Sequence, residues 1–188
     1  MALAAQATAF EQGWLAGARQ LPSPNCDPRP PQATLELVVI HAISLPPGIY
    51  GGPYLDDLFM NRLDCSVHPC FAALAGLRVS AHFLIARDGR LTQYVSTHER
   101  AWHAGVSAWR GRTACNDFSI GVELEGGEDE PFAEQQYTTL AVLLAALKRA
   151  SPLLDPGRLV GHSDIAPGRK TDPGPHFDWP RARLGLTP

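Results

Sequence analysis

Residues 35–40, Leu-Glu-Leu-Val-Val-Ile, constrain the fold of this chain more than any other stretch. The run is β-branched, nearly continuous in hydrophobicity and bounded by loop signals, which reads as a buried central strand. His41 falls at its C-terminal end, the edge of an open α/β sheet where ligands usually bind. Residues 118–125, Phe-Ser-Ile-Gly-Val-Glu-Leu-Glu, read as a second strand. Alternation puts Glu123 and Glu125 on one of its faces and Val122 and Leu124 on the other. A carboxylate in so apolar a strand is costly to bury unless paired, so Glu123 is either a pocket residue or an exposed edge charge.

Other elements are legible from the same rules. Residues 79–85 and 91–95 flank an Asp88-Gly89 turn and read as a hairpin, with His82 inside it as a hydrogen-bonded structural histidine or a pocket wall. The clearest helix is residues 134–150, where Tyr137, Leu140, Leu144 and Leu147 recur at helical spacing. Residues 54–63 and 69–77 read as shorter helices, the second opened by Pro69, with His68 beside it as a surface or cap residue. Pro22, Pro24, Pro28, Pro30 and Pro31 make residues 21–33 an extended lead-in.

Residues 161–174, Gly-His-Ser-Asp-Ile-Ala-Pro-Gly-Arg-Lys-Thr-Asp-Pro-Gly, gather a histidine, two carboxylates and a lysine among prolines and glycines. They read as an ordered loop without regular helix or strand. His162 and Asp172 are a candidate ligand pair, and His41 is the candidate third. Two imidazoles and a carboxylate around a divalent ion leave a fourth position open, as catalytic rather than structural zinc requires. Zinc so held lowers the pKa of its water to about 7 and polarises a carbonyl. Glu123 suits the group that takes the water's proton, and Lys170 suits the donor to a developing oxyanion. Distance along the chain carries no geometry, so a set of unrelated polar residues remains the alternative. Tyr50, in the Gly/Pro-rich loop 44–53, and Trp102-His103 offer surface to a ligand or, equally, form a rigid connector and a core corner.

A length of 188 residues suits one domain. With 19% charged residues and a net charge of −3, the chain lacks the basic face that nucleic acid or an anionic membrane rewards. No run approaches the roughly 18 apolar residues of a membrane span, and the first ten residues, without a basic n-region, make a poor signal peptide. Cys26, Cys65, Cys70 and Cys115 accordingly read as free thiols, a Cys65/Cys70 zinc site being the weaker alternative.

Five segments resemble a known family, in order along the chain: His41-Ala42-Ile43-Ser44-Leu45-Pro46-Pro47-Gly48, Arg78-Val79-Ser80-Ala81-His82, Arg100-Ala101-Trp102-His103-Ala104-Gly105-Val106-Ser107, residues 115–126, and Arg169-Lys170-Thr171-Asp172-Pro173-Gly174-Pro175. They resemble the AmpD-type 1,6-anhydro-N-acetylmuramoyl-L-alanine amidases, part of the wider zinc amidase family that includes phage T7 lysozyme and the peptidoglycan recognition proteins. The resemblance spans roughly residues 20–182 and implies an α/β fold: a single domain over residues 1–188, with 1–33 as lead-in and 34–185 as core, built on a central mixed β-sheet flanked by helices. It implies one zinc ion on His41, His162 and Asp172, with Glu123 and Lys170 as the catalytic pair. The wider family often has a tyrosine where this chain has Ala81, as the AmpD-type group does, which favours Glu123 as the acid/base.

The implied reaction is hydrolysis of the amide between the lactyl group of (1,6-anhydro-)N-acetylmuramic acid and L-alanine of the stem peptide. It belongs to cytoplasmic peptidoglycan recycling and would lower a muropeptide signal that induces β-lactamase. The expected partner is a small muropeptide, contacted by Arg78, Trp102, His103, Tyr50 and Asn116; neither nucleic acid nor membrane is expected, and the protein would be a monomer. Two positions depart from the pattern: Ala42 replaces a usual asparagine and Ala114 a common arginine, which shifts carboxylate recognition toward Arg78, with Arg110 or Arg112 as stand-ins. The alternatives are an amidase acting on intact peptidoglycan and a non-catalytic muropeptide-binding module; the filled ligand positions argue against the second.

Overall fold

The apolar run forms a seven-residue strand, β2 (Leu37–Ile43), in the computed structural model, which describes residues 9–187. The other strands of the central sheet are β1 (Arg19–Gln20), β3 (Phe83–Ile85), β4 (Leu91–Gln93), β5 (Ser119–Glu125) and β6 (Leu159–Gly161), in the order β6-β2-β5-β3-β4-β1. β6, β2, β5 and β3 run parallel, β4 returns antiparallel to β3, and β1 lies parallel to β4, so the sheet is mixed as expected. β2 does not stop before His41. It continues through His41 to Ile43 because β5 stays paired with it as far as Glu125.

The two faces of β2 and β5 serve different ends. Val38, Ile40, Ile120, Val122 and Leu124 pack against Tyr137, Leu140, Leu143, Leu144 and Leu147 of α2 (Glu134–Ala150). Each fully buried aliphatic side chain there contributes about 1.5–3 kcal/mol, so this face anchors the sheet. On the other face Leu37 and Val39 meet Cys115, Phe118, Val160 and Ile165. Farther along that side, α1 (Tyr54–Phe59) sets Leu55, Leu58 and Phe59 against Leu84, Tyr94 and Val95. Helices therefore flank the sheet on both sides.

Several sequence expectations are met closely and others shift. The helix over 134–150 has the expected bounds. The helix expected over 54–63 ends at Phe59, and Asn61 turns left-handed with φ 58. The segment expected over 69–77 is a 3-10 helix, Pro69–Leu74, with the His68 ring accepting the Cys70 amide at 3.2 Å as a cap. The 161–174 stretch does hold a helical turn, α3 (His162–Ile165). Asp164 Oδ2 accepts the Gly161 amide at 2.7 Å and Ile165 is buried against Val39's cluster, so a cap and an apolar anchor outweigh the surrounding prolines and glycines. The chain closes with α4 (Trp179–Arg183), whose Ala182 joins the α2 core with Leu186 beyond it.

The proline-rich lead-in is extended, and its Cys26–Pro28 segment pairs antiparallel with Glu99–Ala101. His82 is structural, its Nδ1 accepting the Gly121 amide at 3.0 Å. All four cysteines are free. The stretch read as a poor signal peptide lies mostly in residues 1–8, outside the described residues. Among the described residues no helix is long and apolar enough to cross a membrane.

Candidate metal centre

Strand register brings the candidate ligands together. β5 sets Glu123 directly beside His41, and β6 sets Gly161 beside Ile40, so the next residue, His162, emerges alongside His41 on the same face. The chain then returns, with the Ser163 amide donating to the Asp172 carbonyl at 3.0 Å. Close approach here needs a glycine: a Cβ on Gly161 would lie 2.9 Å from Pro173 Cδ. The outcome is a triangle in which His41 Nδ1 and His162 Nδ1 are 3.0 Å apart and Asp172 Oδ2 lies 3.1 and 3.2 Å from them. All three residues are buried.

The chemistry of this donor set fits a metal cation. His162 Nε2 lies 3.2 Å from the Ala104 carbonyl oxygen, which can only accept, so its proton sits on Nε2 and Nδ1 carries a lone pair. His41 Nε2 lies 3.0 Å from His103 Nδ1, on the side away from the triangle. Burial pulls the His41 pKa down to about 4, partly offset by Asp172, so this ring is neutral at physiological pH. Asp172 Oδ2 faces both Nδ1 atoms and is the third donor of the set. Two lone pairs and an anionic oxygen thus face one another, an arrangement that a cation satisfies. Tetrahedral zinc with bonds of about 2.0–2.1 Å sets its ligand atoms about 3.3 Å apart, within about 0.3 Å of the observed edges.

Glu123 is 8% exposed, and its Oε2 has no hydrogen-bond partner among the described residues. Burial, and then the charge of Asp172, push its pKa well above the usual range, while Lys170 acts in the opposite sense. An orphaned carboxyl beside a ligand cluster is the mark of a functional group rather than a stabilising one. Lys170 itself is exposed on the loop before Asp172, near enough for its charge to act on both Glu123 and His41.

An open cleft of about 480 Å³ begins at Ala42, the residue after the first ligand, and is lined by Ser44, Tyr50, Gly127 and Glu128 among others. Glu125 ties down the wall holding Tyr50: its Oε1 accepts the Gly51 amide at 2.6 Å and its Oε2 the Arg87 amide at 3.1 Å, while the Arg87 guanidinium lies 5.1 Å over the Tyr50 ring. A hollow of about 520 Å³ between Gly89 and the start of α2 holds none of the candidate residues.

The remaining expected contacts divide. Tyr50 lines the cleft. Trp102 is half-buried, its amide donating to Ser80 Oγ at 3.0 Å. Arg78 is exposed, lines a separate hollow with Leu58, Asn61 and Leu63, and makes no ion pair among the described residues. His103 and Asn116 face inward in part. The two ring nitrogens of His103 are engaged by His41 Nε2 and Ser119 Oγ, and Asn116 Oδ1 accepts the amides of His103 and Ala104 at 3.2 and 2.8 Å. Both ring nitrogens of His103 and the carbonyl oxygen of Asn116 are thus engaged within the protein and shape the site from behind. Arg112 is likewise committed, to Glu36, and Arg110 stacks over Trp109.

Sequence reasoning passed over Ser119, the Ala104 carbonyl, Arg169 and Arg29. Ser119 shares the face of Glu123 by the period-two rule, a usable signal. Arg29 donates to the carbonyls of Asn116, Asp117 and Ser119 from the extended lead-in, and burial lowers its pKa to about 10. Nothing local in sequence announces a backbone carbonyl as a partner.

Residues 31–175 match the N-acetylmuramoyl-L-alanine amidase family. The 1,6-anhydro-N-acetylmuramyl-L-alanine amidase AmpD of Escherichia coli (strain K12) is 55% identical over 175 residues, 93% of this chain and 95% of that protein. A crystal structure of a selenomethionine derivative of AmpD superposes with a TM-score of 0.92 at 52% identity, covering 95% of this chain and 99% of that one. The complex of the amidase AmiD from E. coli with its substrate anhydro-N-acetylmuramic acid-L-Ala-D-γ-Glu-L-Lys is similar at a TM-score of 0.59 and 30% identity, over 94% of this chain and 65% of that one.

Proposed function

The chain belongs to the N-acetylmuramoyl-L-alanine amidase family, and from that premise we propose that it hydrolyses the amide between the lactyl group of 1,6-anhydro-N-acetylmuramic acid and L-alanine of the stem peptide. The observation that carries this reading is the convergence of His41 Nδ1, His162 Nδ1 and Asp172 Oδ2 on one point, with the unpartnered carboxyl of Glu123 on the neighbouring strand.

His41, His162 and Asp172 would hold one zinc ion, which supplies Lewis acidity toward the scissile carbonyl and toward water. Glu123 takes a proton from the attacking water and returns it to the alanine nitrogen as the C–N bond breaks, leaving a lactyl carboxylate and a free peptide amine. Its raised pKa is in the direction expected of a carboxyl that must both accept and release a proton. Lys170 donates to the oxygen on which negative charge develops. Tyr50 and the cleft from Ala42 to Glu128 receive the muropeptide beside the reacting amide. The anhydro sugar is a turnover product of the wall, which fits a reaction in peptidoglycan recycling; we set it in the cytoplasm, with the monomer as the acting form.

The test compares release of peptide from purified anhydro-muramoyl tripeptide by zinc-loaded and chelator-treated protein, with the non-anhydro compound alongside. Zinc-dependent cleavage, much faster with the anhydro sugar, is expected. Binding without cleavage would overturn the catalytic reading, and equal rates on insoluble peptidoglycan would overturn the substrate.

A further inference from the structure

The hydrogen bonds behind the triangle form two chains, one through His103 and the other through its neighbour Ala104. Ser119 Oγ lies 2.6 Å from the Cys115 carbonyl, so the hydroxyl proton is spent there and the oxygen is left to accept. The partner on that oxygen is His103 Nε2, at 3.1 Å, which must therefore carry the proton. His103 Nδ1 is then bare and accepts from His41 Nε2 at 3.0 Å, which leaves His41 Nδ1 with its lone pair aimed at the triangle. The second chain is shorter. Arg169 Nη2 donates to the carbonyls of Ala104 and Val106, both at 2.7 Å, and the Ala104 oxygen also receives His162 Nε2.

Everything around His103 holds it in that attitude. The Asn116 side chain fixes its backbone, and the His82 ring meets it edge-on at 5.8 Å. The ring lies against the bare backbone of β5, where a Cβ on Gly121 would stand 2.4 Å from His103 Cγ. A ring pressed this closely against a strand cannot rotate toward a ligand in the cleft.

We propose that His103 and Ser119 are positioning residues of the metal centre, fixing the tautomer and orientation of His41 and so setting metal affinity without contact to ion or substrate. This rests on the metal reading above. Partners of this kind typically change affinity 10–100-fold when removed, because the ligand must otherwise find its tautomer and orientation unaided.

The test measures zinc affinity by competition with a chromophoric chelator at fixed pH, together with the unfolding midpoint of each metal-free protein. His103→Leu keeps an apolar filling but removes the acceptor, and a loss of about 10–100-fold is expected. His103→Asn restores an acceptor at the place of Nδ1 and recovers most of that loss, which a merely space-filling role would not give. Ser119→Ala deletes one hydroxyl in place, guards against misfolding of the larger change, and weakens zinc in the same direction. It also frees His103 to protonate Nδ1, so the Nε2–H pattern of His41 in long-range proton–nitrogen spectra changes. Unaltered zinc affinity in folded His103→Leu and Ser119→Ala would overturn the proposal, as would a loss in His103→Leu that His103→Asn leaves unrepaired. Wild-type protein that holds no zinc would instead remove the metal reading itself, a result distinct from tight wild-type binding with indifferent variants.

Discussion

Replacing Gly121 by alanine tests how tightly the site is built from behind. The new methyl carbon would lie 2.4 Å from His103 Cγ and 2.7 Å from both Cδ2 and Nδ1. Ordinary carbon contacts begin at about 3.5 Å, so the ring must retreat by about 1 Å. It has nowhere free to go, because its backbone amide is held by Asn116 and its nitrogens by Ser119 and His41. To the extent that it moves away from His41, a retreat of that size stretches the 3.0 Å contact, to about 4 Å at most and beyond hydrogen-bonding range there. Overpacking of this kind costs about 1–3 kcal/mol, and an unpaired buried N–H adds about 1–3 kcal/mol. Their sum, about 2–6 kcal/mol, is a large share of the stability of a typical domain.

Denaturant unfolding of the metal-free variant reads the first quantity, and zinc competition reads the second effect, a loss of about 10–100-fold through His41. Gly127→Ala is the control: its added Cβ would meet nothing closer than Glu130 Oε1 at 3.4 Å, so its stability should stay within about 0.5 kcal/mol of wild type. Should Gly121→Ala unfold within about 0.5 kcal/mol of wild type and bind zinc equally well, the argument that His103 is wedged between β5 and His41 is wrong.

Other outcomes follow from the same geometry. Asp172→Ala removes the only anionic corner of the triangle and should abolish hydrolysis and most zinc binding; stoichiometric zinc with full turnover would exclude Asp172 as a ligand. Glu123→Ala should keep the metal and lose about 100-fold or more in rate, as for a lost general base; turnover equal to wild type would remove Glu123 from the mechanism. The hydrogen bond from Arg100 holds the Asp27 pKa below its ordinary value, so its contribution to stability is present above about pH 4 and is lost as pH falls through the lowered pKa. Asp27→Asn should therefore lie below wild type in urea midpoint at pH 7, with the gap narrowing under strongly acidic conditions; a gap that widens in acid would contradict the sign.

Local pattern alone made the scaffold legible. The β-branched run of residues 35–40, the alternation around Glu123 and the period of Tyr137, Leu140, Leu144 and Leu147 each report burial of nearby side chains, which is a property of a few consecutive residues. The same local signals misjudged ends, at Phe59 and Ile43, because an end depends on what the neighbouring strand or turn offers. The turn at His162 escaped for the same reason: it depends on Ile165 finding an apolar cluster made by Val39, Phe118 and Val160. The residue types of the triad and the order of the motifs identified which groups could hold a metal. Whether they meet was decided by register, since pairing of Glu123 with His41 and of Gly161 with Ile40 converts separations of more than 80 and 120 residues into contact. His103 shows the limit most sharply: an imidazole beside a tryptophan invited a sugar-facing role, and only tertiary structure turned it inward. Its partners are a hydroxyl, a second imidazole and the bare backbone of Gly121. Hydrogen bonds and close packing act over about 3 Å regardless of sequence distance, so such roles exist only once the chain has folded.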